Sequence, residues 1–204
     1  MEQVREVARE ICAVYNVHLS PEGFNSFSSI LKPVKLLRNQ TPFAVGEVCP
    51  CMYYVKRGLV LQHYEKNGMD VVEHISHEGD MVMCIESFFL REPSVIEVKM
   101  LEPGVLYGIP HDEMRQLASH SYEICEFMFA ILERSLIISQ RKADMLRFET
   151  AKQRYVRTLR EDPELIRRTP VHYVASLLQM KPETLSRART QVMLESKEEK
   201  EQNQ

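Results

Sequence analysis

The chain opens with apolar positions at helical spacing, Val4, Val7, Ala8, Ile11 and Val14, which predict an amphipathic helix over residues 2–16. A second helix is predicted after Ser20. Its hydroxyl can accept from first-turn amides, Pro21 and Glu22 suit that turn, Phe24, Phe27 and Ile30 follow, and Pro33 stops the run. From about residue 34 to 110 the texture changes to short runs rich in Val, Ile, Tyr and Met, such as MYYVKRGLVLQHYE, VVEHISHEGD, SVIEVKM and GVLYGIP, broken by Gly, Asn and Pro. That rhythm predicts an antiparallel sandwich or barrel, with Asn67-Gly68 its strongest hairpin signal.

After Pro110 the pattern is helical. HDEMRQLAS reads as a short helix, and residues 121–148 as one long helix without Gly or Pro. The long helix carries two adjacent apolar stripes. One is Ile124, Met128, Ile131, Ile138 and Met145, interrupted by Ser135 and Lys142; the other is Cys125, Phe129, Leu132, Leu136, Ala143 and Leu146. One stripe suffices to pack a helix on its own domain. The surplus suggests the same helix of a second subunit, with the first stripe as the dimer seam, or else burial between two domains of one chain. ETAKQRYVRTLREDPELIRR predicts another helix, ended by Pro163 and Pro170. In TPVHYVASLLQMKPETLSRARTQVM, a helix opened by Thr169-Pro170 buries Val174, Ala175, Leu177 and Leu178. QMKP turns the chain, and a second helix from Glu183 turns Leu185, Ala188 and Val192 inward. The polar SKEEKEQNQ is expected to be a frayed or disordered tail.

The formal charge of −3 conceals an asymmetry. Residues 151–190 hold nine basic against four acidic side chains, while the first 150 residues carry a net −6. A basic segment behind an acidic body points to nucleic acid at the C-terminal part, and the second helix of the pair is the place to meet it. Glu183 and Arg187 are one turn apart and suit base edges; Lys181, Thr184, Ser186, Arg189 and Thr190 suit phosphates or the groove around them. No run reaches membrane-spanning length, the acidic MEQVREVARE is unlike a signal peptide, and five scattered cysteines make no disulfide framework. A soluble cytoplasmic protein is expected.

HYVASLLQMKPETLSRAR resembles the helix-turn-helix of the Crp/Fnr regulators, with Glu183-Thr184 and Arg187 at the start of the recognition helix. YYVKRGLVLQHYEKNGMDVVEHISHEGDM resembles the family's cyclic-nucleotide-binding jelly roll, with Gly58 and Gly68 in hairpins and Gly79-Asp80 entering the ligand cassette; residues 121–148 match its dimer helix. The resemblance implies an α+β chain in four parts: N-terminal helices and jelly-roll sensor over 1–118, a dimerisation helix and hinge over 119–150, an all-α helix-turn-helix over 151–194, and a tail over 195–204. It also implies DNA, a second copy and RNA polymerase as partners, no catalytic residues, and a small-molecule effector that reorients the recognition helices.

Two departures qualify what is carried over. Where cyclic-nucleotide binders have a Gly-Glu pair and an Arg-Ser pair, this chain has Met83-Cys84 and Pro93-Ser94. Proline cannot replace the charge-assisted bond of an arginine to the cyclic phosphate. Classical cAMP binding is therefore not expected, and Glu86, Arg91, Ser94, Ser139 and Gln140 are the expected polar contacts of another effector. The family's winged hairpin also has no counterpart, since only MLESKEEKEQNQ follows Val192.

Cys12 stands alone, and Cys49-Pro50-Cys51 is too tight for the usual metal pair, so no cluster or metal is expected. His63, His74 and His77 lack a cupin-like metal pattern and read as surface histidines. Two alternatives stand beside the regulator: a sensor module acting through protein partners without productive DNA binding, and a metal-dependent cupin-like enzyme.

Overall fold

The structure, a computed structural model, describes residues 2–202, with side chains described through Glu195. Helices α1 (Glu2–Val14) and α2 (Pro21–Ile30) precede a sheet region of seven strands: β1 (Lys32–Leu36), β2 (Cys51–Arg57), β3 (Val60–Lys66), β4 (Met69–Ser76), β5 (Met81–Val82), β6 (Glu97–Met100) and β7 (Gly104–Pro110). A short helix, α3 (Ile85–Leu90), lies between β5 and β6. The strands form two antiparallel sheets, β1-β7-β2-β5 and β4-β3-β6, the two-sheet jelly-roll arrangement the sequence predicts. Ser20 caps α2 by accepting from the Gly23 amide at 3.1 Å. Asn67 and Gly68 both hold positive φ, 55° and 72°, as a two-residue turn between β3 and β4 requires.

Val7, Ile11, Phe27, Met52, Leu106, Ile109 and Met114 form a continuous core with Ile124, Phe127 and Ile131. The last three belong to α5 (Tyr122–Phe148), which follows α4 (His111–His120). Phe127 meets Phe27 edge to face at 4.8 Å, so the long helix is welded at its N-terminal half to α2.

The helix expected over ETAKQRYVRTLREDPELIRR is two helices, α6 (Ala151–Glu161) and α7 (Pro163–Arg168). Pro163 has no amide to continue α6, and the Asp162 carboxylate accepts from the Leu165 amide at 2.9 Å to start α7 afresh. Next come α8 (Val171–Leu177) and α9 (Pro182–Gln202), whose joining turn has Gln179 at φ 49°. Tyr155, Val174, Ala175, Leu178, Leu185 and Ala188 make this half's own core. Of the frayed tail expected over 195–204, residues 195–202 are corrected, since α9 continues to Gln202 through a Glu- and Lys-rich run with no helix breaker; residues 203–204 lie outside the described residues. Among the described residues no strand follows α9.

Candidate effector cavity and nucleic-acid interface

Strand alternation sends Gln62 of β3 and His74 of β4, which face each other across the ladder, to the inner side of the three-stranded sheet. There they line a cavity of about 190 Å³ closed by α5 through Arg134, Ser135, Ile138 and Ser139, by Tyr15 after α1, and by Asp80, Met81, Met83 and Ile85. Gln62 is fixed by donating to the Met83 carbonyl at 3.0 Å. Arg134 spans the rim: it donates to the Val14 carbonyl at 3.2 Å, and its guanidinium lies 5.4 Å from the Tyr15 ring centre. Burial pushes the Tyr15 hydroxyl up to about 12, so it stays a neutral donor. Burial, helped by the nearby Lys142 charge, drops His74 to about 4, leaving a neutral imidazole in the wall.

Of the five expected effector contacts, Ser139 lines this cavity and the other four do not. Arg91, at the left-handed end of α3, donates to the carbonyls of Cys49 at 2.9 Å and Phe88 at 3.3 Å, so its charge braces the cassette. Ser94 is buried and bonded within its own turn to Ile96. Glu86 and Gln140 are exposed on α3 and α5. The cavity groups that sequence reasoning did not assign as contacts, Gln62, His74, Asp80 and Arg134, come from alternation on β3–β4, from the turn before β5 and from α5; of these only Asp80 lies in a segment, Gly79-Asp80, that the sequence places at the ligand cassette. The reading of all three histidines as surface residues is also corrected. His63 is buried between Glu97, at 2.8 Å, and Asp70, at 3.2 Å; His74 lines the cavity; His77 lies 3.0 Å from Asp162.

In the C-terminal half, α8 and α9 form the helix-turn-helix. Leu185 and Ala188 face its core, which turns Glu183, Ser186, Arg187, Arg189 and Thr190 to solvent on α9, with Thr184 half-buried and Lys181 exposed in the turn. Thr184 Oγ1 lies 3.5 Å from the Arg187 guanidinium. Thr190 donates back to the Ser186 carbonyl at 3.1 Å. The seven expected DNA contacts thus share one exposed stretch of turn and helix.

Four of the five residues expected to form a dimer seam turn inward instead. Ile124 and Ile131 are sealed in the chain's own core, Met128 packs beside them, and Met145 packs against the helix-turn-helix core; Ile138 is exposed at the cavity rim. The physical reason is the position of α2 and the sheet, which claim that side of α5. Its neighbouring stripe is outward, with Phe129 65% and Leu136 62% exposed.

The two halves meet on the outer side of β3–β4. Leu59, Leu61, Val72, Ile75 and Leu101 cluster with Leu165, against which Ile166, Tyr173 and Leu177 pack. Ser176 of α8 accepts from the Val72 amide at 3.0 Å and donates to the Asp70 carbonyl at 2.8 Å, satisfying the edge of β4. The hydrogen bond to Asp162 raises His77 to about 9, so the pair is ionic at neutral pH. Arg168 reaches both Glu78 and Glu102 at 2.6 Å.

Residues 33–121 match the family model described as the cyclic nucleotide-binding domain. No curated protein matches the chain in sequence. Among solved structures, it is similar to the Thermus thermophilus Catabolite Activator Protein, at 19% identity over 90% of this chain and 88% of that one, with a TM-score of 0.54. It is also similar to CLP from Xanthomonas campestris, described as a c-di-GMP responsive global regulator, at 19% identity over 87% and 93% of the two chains and a TM-score of 0.66. For FixK2 from Bradyrhizobium japonicum the identity is 15% over 82% and 86%, with a TM-score of 0.69. No helix of the described residues is long and apolar enough to cross a membrane. Residues 33–121 thus match the cyclic nucleotide-binding domain model, and the chain shares its overall fold with these three solved structures.

Proposed function

We propose that this chain is a homodimeric, sequence-specific DNA-binding transcription regulator whose DNA affinity is set by a small effector other than classically bound cAMP. The observation that carries the reading is the helix-turn-helix surface: its apolar residues are consumed by their own core, while Glu183, Ser186, Arg187, Arg189 and Thr190 stand exposed together on α9. A major groove admits such a helix, and an arginine with a glutamate one turn away offers donors to guanine and an acceptor to cytosine. The outward stripe Cys125, Phe129, Leu132 and Leu136 supports pairing of α5 with a second copy. Arg134 is the cation lining the cavity and takes the part of anion contact that Pro93 leaves vacant in the cassette.

Fluorescence anisotropy with a duplex from the region upstream of the coding sequence, against an unrelated duplex and over a salt series, tests this. The upstream duplex binds preferentially, and Arg187→Ala weakens that preference by about 1–3 kcal/mol. Equal binding of both duplexes by wild type and variant contradicts sequence-specific regulation.

A further inference from the structure

Arg168 closes α7, and only Thr169 and Pro170 separate it from α8, the first helix of the helix-turn-helix. In that motif the first helix crosses the nucleic-acid backbone while the second enters the groove, and backbone oxygens are met chiefly by arginine, lysine and hydroxyl groups. A guanidinium here is therefore placed for phosphate. In this structure it is already occupied by anionic oxygens from the other half of the chain. Its nitrogens contact Glu78 at 2.6 and 3.2 Å and Glu102 at 2.6 and 3.2 Å, and its side chain is only 15% exposed. The acceptors are themselves fixed, since Glu78 also accepts from the Gly58 amide at 2.8 Å. The neighbouring Arg167 makes a different choice. It pairs with Glu164 on its own helix and stays largely exposed.

We propose that Glu78 and Glu102 mask Arg168 from DNA, so that docking of the helix-turn-helix on the sensor and contact with the nucleic-acid backbone compete for one guanidinium. The inference rests on the DNA-binding reading above and adds a residue and a form of control to it. Two carboxylates offer the charge and oxygen spacing a guanidinium finds in phosphate, with the fork geometry that suits arginine better than lysine. Ser176 on the β4 edge and Tyr173 and Leu177 against the outer sheet face hold the docked arrangement that brings these groups together.

The test compares three forms of the full-length chain, wild type, E78Q/E102Q and R168A, by two readouts. Hydrogen exchange at the Val72 amide reports docking without any DNA, because its partner is Ser176. Anisotropy against a mixed-sequence duplex of about three helical turns reports backbone binding and its salt dependence. Unchanged exchange in β2 and β7 establishes that each variant is folded. E78Q/E102Q should exchange faster at Val72 and bind about tenfold more tightly. R168A should also exchange faster yet bind more weakly than E78Q/E102Q, with a log–log salt slope smaller by about 0.9 for one lost phosphate contact. Equal affinity and slope in the two variants overturns the proposal, because Arg168 then touches no backbone; so does wild-type protection and affinity in E78Q/E102Q. If wild type and both variants all fail to bind duplex, the DNA-binding reading falls with it. Masking alone fails when wild type binds and only the predicted differences are missing.

Discussion

The two faces of β3–β4 do opposite work with alternate residues of the same strands. On the inner face Gln62 and His74 line the cavity, while Val60, Val98 and Met100 seal the core beside it. On the outer face Leu61, Ile75 and Val72 carry Leu165, Tyr173 and Leu177 of the other half. The inner contact is a dense apolar core stitched to α1, α2 and α5. The outer one is a thin apolar strip ringed by ion pairs and two hydrogen bonds from Ser176. The lesson is that the candidate effector site and the docked helix-turn-helix are separated by a single layer of backbone. Ile75, His74 and Ile138 border both the inner cavity and a second one, about 270 Å³, between the two halves. A ligand that moves Ile138 or His74 therefore reshapes the second cavity directly.

Substitutions on the two sides should therefore behave differently. Phe127→Ala, in the inner core and fully buried, is expected to cost about 3–5 kcal/mol, read as a lower denaturation midpoint of the whole N-terminal half. A loss below about 1 kcal/mol would mean that α5 is not welded to the core. Leu165→Ala, on the outer side, should cost about 2 kcal/mol, low in the range for such truncations because the short α7 can settle toward the sheet. Its signature is faster exchange at Val72 with little change in β2 and β7. Equal loss on both sides would make the halves one cooperative unit.

The smallest effect comes from pH. His77 is raised to about 9 by Asp162, against an ordinary value of 6.5, and it also faces Asp80 and the Glu78 carbonyl. Its pairing thus stabilises the seam fully below pH 6.5 and is lost as pH rises through about 9. Asp162 feels burial pushing it up, outweighed by His77 and the Leu165 amide, so its folded value is lowered and its share is lost only in acid. Docking followed by Val72 exchange, corrected for intrinsic rates, should weaken between pH 7 and 10 in wild type and not in His77→Gln. A flat profile in wild type would remove this pair from the seam.

Much of this architecture is legible in the sequence because its signals are local. Asn67-Gly68, the Ser20-Pro21 start and the Thr169-Pro170 to Pro182 segment each name their own geometry. What fails to show is long-range. The split at Asp162-Pro163 is read as one helix because the apolar rhythm runs through it, although a capping aspartate before proline is the available clue. The choice between stripes on α5 depends on where α2 and the sheet lie, which periodicity does not encode. The cavity is hardest of all: Gln62, His74 and Arg134 meet from three elements, whereas the cassette-derived Arg91 and Ser94 are spent on backbone carbonyls, of Cys49 and of Ile96. The outer face leaves one trace in the pattern, since β3 is buried at four successive positions, Val60 to His63, as a strand covered on both sides must be.

The most direct test of the central claim is enrichment of duplexes from a random library by the full-length protein, sequenced for wild type and Arg187→Ala in parallel. The account predicts an inverted repeat with half-sites about one helical turn apart and a guanine position that loses its preference in the variant. A folded dimer that enriches no sequence, or a motif unchanged by Arg187→Ala, would contradict it.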